Sequence, residues 1–215
     1  METSSNHIHI NIGRQLGAGG LQLGQKLSEE LGIKLYDKEL INLAAKESGF
    51  VSEMFDKADE KSTLGLNNSF SLSAFVEAIQ TGFGVNYMNA GRLFEIQSKV
   101  IRKIASEGST IILGRCADYI LRDYPNCFNI FISADMEDRI KRIRNSKLLS
   151  DIDNMTDDKV ASLLAKGDRK RGSYYSGFSF KSWGAASSYD MCISSSKFSI
   201  DEIASIVKSY ISTHF

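Results

Sequence analysis

Four glycines crowd into eight positions, Gly13-Arg14-Gln15-Leu16-Gly17-Ala18-Gly19-Gly20, between a strand-like and a helix-like segment. No other feature constrains the fold of this chain as much. Before the turn, Ile8, Ile10 and Ile12 alternate with His7, His9 and Asn11, the period of a β-strand that ends at Gly13. After it, Leu23, Leu27 and Leu31 recur at helical spacing until Gly32 supplies a C-cap. Strand, glycine turn and helix in that order can aim several backbone N–H groups at one point, where the helix adds roughly half a positive charge. The turn is therefore expected to cradle an anion, phosphate above all. The bland alternative is a tight turn whose glycines only permit close packing.

The alternation continues along the chain. Residues 33–36 read as a second strand, and Asp37 can cap a helix through Ser48 with Leu40, Ile41, Ala44 and Ala45 as its apolar stripe. The pattern weakens over 51–88. A helix carrying Leu93, Ile96, Val100, Ile101 and Ile104 should end before Gly108, and the apolar run 110–113 suits a strand covered on both faces. A short helix through Leu121, a strand over 127–132 and a charged helix from Asp135 follow. Residues 147–188 are polar and helix-rich, then come a last strand over 189–194 and a helix with Ile200, Ile203, Ile206, Val207 and Ile211. The expected fold is a single α/β domain, a three-layer sandwich around a mostly parallel sheet. Ligands in such folds gather at the carboxyl ends of the strands.

Composition narrows the function classes. The 215 residues suffice for one domain with a sizeable core. Lys and Arg (26) balance Asp and Glu (26), so no general basic field for nucleic acid is expected. No run approaches ~18 apolar residues, which argues against a membrane span, and METSSNHIHI does not have the make-up of a signal peptide. Cys116, Cys127 and Cys192 lie in or beside apolar stretches and read as buried, reduced thiols of a cytoplasmic protein. His7 and His9 share a strand face without a third ligand, so no metal site built by the protein is expected.

Two phosphate motifs compete at the turn. The dinucleotide fingerprint G-x-G-x-x-G matches Gly17 and Gly19 but finds Gln22 at its third glycine, with Asp37 as the ribose-binding acid of an NAD(P) domain. The P-loop, with Gly19 as its last glycine, has Gly20 at its lysine and Leu21 at its hydroxyl position. That exchange removes an ammonium contact to the transferred phosphate and a direct magnesium ligand.

Longer segments favour the second motif. I-N-I-G-R-Q-L-G-A-G-G-L-Q-L-G resembles the I-x-x-R-x-x-G-S-G-G segment of the cytidylate kinase-like family, a divergent branch of the P-loop nucleoside monophosphate kinases in which glycine also takes the lysine position. The resemblance continues in L-G-I-K-L-Y-D-K-E-L-I, A-A-K-E-S-G, I-I-L-G-R-C-A-D-Y-I-L, F-I-S-A-D-M-E-D-R-I-K-R-I, D-R-K-R-G-S-Y-Y, W-G, Y-D-M-C-I-S and S-I-D-E-I. It implies a kinase core with a small helical acceptor-binding insertion over 38–98 and a helical lid over 136–185. The implied activity moves the γ-phosphoryl group of ATP, with Mg²⁺, to a nucleoside monophosphate or another small phosphorylated acceptor. Within that likeness Gly13, Gly17, Ala18, Gly19, Gly20 and Leu21 would hold the donor phosphates.

Phosphoryl transfer is mostly positioning plus positive charge. Arg139, Lys141, Arg142, Arg144 and Lys147 form one acid-free basic cluster, with Arg139 and Arg142 at i, i+3 on one helix face. Lys166, Arg169, Lys170 and Arg171 surround Asp168 in a second. Arg139, Arg142, Asp168 and Arg171 are thus candidates for the chemistry, and Arg14 can supply the fixed charge that Gly20 lacks. Gly114, Arg115 and Asp118, after a buried strand, and Asp37, after another, are candidates for holding the acceptor; Arg suits bidentate phosphate contact. The lid pattern R-D-x-x-D-x-x-R is kept only at Asp168, since Gly167, Arg171 and Tyr174 occupy its first, fifth and eighth positions. Tyr174, Tyr175 and Trp183 either stack on a base or pack the lid. A non-catalytic nucleotide-binding module and an NAD(P)-binding domain remain the alternatives.

Overall fold

The computed structural model describes residues 7–37, 87–146 and 152–215. The expected helix after Asp37 and most of the expected insertion lie outside them. Five strands, β1 (His9–Arg14), β2 (Lys34–Tyr36), β3 (Thr110–Leu113), β4 (Cys127–Ser133) and β5 (Met191–Ser194), form one parallel sheet in the order β2-β3-β1-β4-β5. The central strand β1 pairs Ile12 with Leu113 of β3 and with Ile130 of β4. The described helices are α1 (Gly20–Leu31), α2 (Tyr87–Glu107), α3 (Ala117–Ile120), α4 (Met136–Asn145), α5 (Asp157–Ser179) and α6 (Ile200–His214).

Alternation along the strands sorts the two faces. Ile10, Ile12, Ile111 and Leu113 pack with Leu23 and Leu27 of α1 and with Ile203 and Val207 of α6. Ile112 points the other way, to Val100 and Ile101 of α2 and to Leu121. The result is the expected α/β three-layer sandwich with a parallel sheet. Among the described residues no helix is long and apolar enough to cross a membrane.

The first strand differs from its sequence reading. It runs on through Gly13 and Arg14, and a Cβ on Gly13 would lie 2.9 Å from the Phe131 ring. Gly13 therefore belongs to the packing of the strand and not to the turn. Covered on both faces, β1 also buries its polar residues in pairs. His9 Nδ1 lies 3.0 Å from Thr110 Oγ1, and Asn11 Nδ2 donates to Asn129 Oδ1 at 2.9 Å. The three thiols are free but not alike: Cys116 is buried, Cys127 half-buried, and Cys192, on edge strand β5, is exposed, contrary to expectation.

Burial and nearby His7 lower the His9 imidazole from 6.5 to about 4. A folded-state value below the unfolded one means that its contribution to stability is complete above pH 6.5 and is lost as pH falls towards 4. The loss between neutral pH and roughly pH 5 is on the order of 1 kcal/mol. Urea unfolding at both pH values should show this slope in the native chain and a flatter one in His9→Gln.

Candidate functional site

The turn between β1 and α1 is organised by where its carbonyls go. Arg14 O accepts from Arg171 Nη1 at 3.1 Å, Gln15 O from Ala18 N at 3.3 Å and Leu16 O from Arg139 Nε at 2.7 Å. Gly17 O accepts from Arg142 Nη1 at 2.6 Å, Ala18 O from Ser195 Oγ at 2.8 Å and Gly19 O from Leu23 N at 3.0 Å. Every acceptor from Arg14 to Gly19 is thereby occupied. Among the described residues, the amides of Gly17, Gly19, Gly20, Leu21 and Gln22 have no partner. Gly17 and Gly19 stand at φ +76° and +86°, conformations that favour glycine. A run of unpartnered amides at the N-terminus of a twelve-residue helix is an anion-binding device.

Helices α4 and α5 close on this turn from outside. Arg139, 4% exposed, bonds Asp168 through Nη2 while its Nε holds Leu16 O; Asp168 Oδ1 accepts from Leu16 N at 2.8 Å. One buried ion pair thus grips both polar groups of a single turn residue. Gly167 fits this contact: a Cβ there would collide with Leu16 Cδ1, so a bare position lets α5 meet the turn without displacing the Leu16 side chain. Arg142, three residues after Arg139, reaches Gly17 O from the same helix face. Arg139 and Asp168 are committed to the turn backbone and act as positioning residues, a departure from the expectation of charges directed at phosphate.

Arg14, Arg115 and Arg171 draw together at the carboxyl ends of β1 and β3. Burial, Arg171 and Arg115 lower Arg14 well below the usual guanidinium value, with Asp37 opposing. Burial, together with Arg115 and Arg139, brings Arg171 down to about 10, against the pull of Asp168. Burial also lowers Arg115, and nearby Tyr174 partly offsets this. Like charges brought this close release free energy when an anion joins them. Gly114 follows β3 at φ +68°, with Arg14 Nη1 lying where its Cβ would be.

The remaining candidates separate. Asp37 ends β2 near Arg14. Asp118 is 8% exposed and accepts from Tyr175 Oη at 2.7 Å, with its carboxyl raised by burial. It ties α3 to α5 and is not an open contact for acceptor. Tyr174 donates to Gln97 Oε1 at 3.1 Å and Trp183 meets Phe131 edge-on at 5.1 Å, so these rings pack in the fold. Leu21 exposes its side chain and offers no oxygen to a metal. Among the described residues no three His, Cys, Asp or Glu side chains cluster as a cation cage. Ser195 had no local sequence signal apart from its place just beyond the last strand.

The profile of the cytidylate kinase-like family matches residues 9–197. No curated protein sequence matches the chain. Among solved structures, an uncharacterised protein from Eubacterium ventriosum is 28% identical, with a TM-score of 0.69, covering 97% of this chain and 100% of its own. Shikimate kinase from Bacteroides thetaiotaomicron is 13% identical, with a TM-score of 0.54 over 95% of this chain and 98% of its own; it shares the fold.

Removing Asp168 leaves Arg139 and the Leu16 amide unsatisfied, so Asp168→Ala should lower stability by about 3 kcal/mol in denaturant unfolding. Asp168→Asn, which can still accept from Leu16, should lose less. Adding Arg139→Met to Asp168→Ala should recover part of the loss, because the stranded charge is gone.

Proposed function

The chain belongs to the cytidylate kinase-like family, and on that premise we propose that it is a phosphotransferase moving the γ-phosphoryl group of ATP to a small phosphorylated acceptor of nucleoside monophosphate type. The observation that carries this reading is the turn's hydrogen-bond pattern among the described residues: carbonyls occupied from Arg14 to Gly19, amides unpartnered from Gly17 through Gln22 apart from Ala18. A polyphosphate needs such a row of donors.

The amides of Gly17, Gly19, Gly20 and Leu21 would hold the donor phosphates, Ala18 being the buried support that bonds back to Gln15. Arg142, resting on Gly17 O, places a cation on the outer side of the same turn. Arg14 and Arg171 would neutralise charge on the inner side, and Arg115 would take the acceptor's phosphate in the bidentate manner suited to a guanidinium. Mg²⁺, when bound with ATP, would supply further neutralisation, held by phosphates and water. With Leu21 at the hydroxyl position, Asp37, which follows β2 near Arg14, would orient a metal-bound water.

Coupled ADP release over a panel of nucleoside monophosphates tests the proposal. The wild-type chain should turn over at least one of them, and Arg115→Ala should lower kcat/KM by about 10- to 100-fold, the value of a charged hydrogen bond. Saturable ATP binding with no ADP formed on any acceptor supports a non-catalytic nucleotide-binding module instead, and a preference for dinucleotide over ATP supports the NAD(P)-binding alternative.

A further inference from the structure

Two positions of the phosphate turn are exchanged relative to the pattern G-x-x-x-x-G-K-[ST]. With Gly19 as the second glycine, the first glycine falls on Arg14 and the lysine on Gly20. Taken singly, each change damages a P-loop: one adds bulk to the turn and the other removes its cation. The geometry joins them. A Cβ on Gly20 would lie 2.8 Å from both Cβ and Cγ of Arg14, so the Arg14 stem already fills the space where a side chain at position 20 would begin. The far end of that side chain lies over the Cα of Gly114, which also has no side chain.

We propose that Arg14 and Gly20 form a reciprocal exchange, in which the P-loop cation enters from the end of β1, crosses over Gly20 and delivers a guanidinium between the turn and β3 to read the terminal phosphate of a nucleoside triphosphate. The inference rests on the phosphotransferase reading for the identity of its ligand, and it adds which side chain tells a triphosphate from a diphosphate.

Arg14 is well held for this task. Its backbone lies in β1 in register with Ile132, and its carbonyl is bonded by Arg171. The stem lies against Gly20 and the guanidinium over Gly114, so little rotamer freedom remains to be lost on binding. Asp37 faces Arg14 and Asp168 faces Arg171, but Asp168 is already bonded by Arg139 and the Leu16 amide. Among the described residues, three guanidiniums thus gather with two carboxylates opposing them, one of these already committed to Arg139 and the turn. An arginine also keeps its charge where a lysine would shed it under such repulsion.

Four full-length proteins test the exchange: wild type, Arg14→Met, Gly20→Lys and the double variant Arg14→Ala/Gly20→Lys. Calorimetric titration with ATP and with ADP, both with magnesium, is paired with denaturant unfolding. Arg14→Met keeps the apolar stem and should weaken ATP binding by about 10- to 100-fold while leaving ADP binding nearly unchanged. Gly20→Lys should be destabilised by collision with Arg14, and the double variant should regain both stability and part of the preference for ATP.

Equal ATP affinity in wild type and Arg14→Met overturns the inference, as does a double variant whose losses are simply the sum of the single ones. A wild-type chain that binds neither nucleotide overturns it together with the proposed function. ATP preference lost in Arg14→Met, in a chain that transfers no phosphoryl group, upholds the exchange and counts only against the transferase reading.

Discussion

A peptide turn offers carbonyls as readily as amides, and a polyphosphate tolerates only the amides. Disposing of the carbonyls is thus the constraint on which this site depends. Six consecutive ones, from Arg14 to Gly19, find partners, three of them arginines that reach in from α4 and α5 and one the Ser195 hydroxyl beyond β5. The three arginine bonds are charge-assisted and hold the backbone more firmly than neutral ones would. The rest of the architecture can be read as support for them: a parallel sheet that brings the ends of β1, β4 and β5 to one edge, and a helix α5 stripped of its side chain at Gly167 to come close enough.

This arrangement divides the arginines by task. Arg139 and Arg142 share a helix face, as their i, i+3 spacing requires, yet both spend hydrogen bonds on the turn backbone. Arg139 is neutralised by Asp168, so the ion pair contributes shape more than field. Arg14, Arg115 and Arg171 instead repel one another, with Asp37 and Asp168 opposing that repulsion. A chain with no net charge thus brings three guanidiniums together at the carboxyl ends of β1 and β3, which no global charge count would reveal.

Much of the scaffold was legible beforehand. The run 110–113 and the helix ending before Gly108 coincide with β3 and α2, because continuous apolar runs and helical stripes record local burial directly. Gly17 and Gly19 were recognisable as turn residues from their setting. Less legible were features set by neighbours distant in sequence. The alternation His7, His9, Asn11 suggests a half-exposed strand, but β1 lies at the sheet centre, where Thr110 pairs with the His9 ring and Asn129 accepts from Asn11 Nδ2. Cys192 sits among apolar residues and is nevertheless exposed, because β5 is an edge.

The amino-acid sequence by itself determined the order of strands and helices, the glycine turn after the first strand and the supply of cations, because each of these is a matter of local pattern or composition. Tertiary structure alone decided which arginines are neutralised by a buried carboxylate and which gather at the carboxyl ends of β1 and β3, since a guanidinium's role follows from the groups packed against it. Asp168 and Leu16 are 152 residues apart, and no local pattern records that they meet.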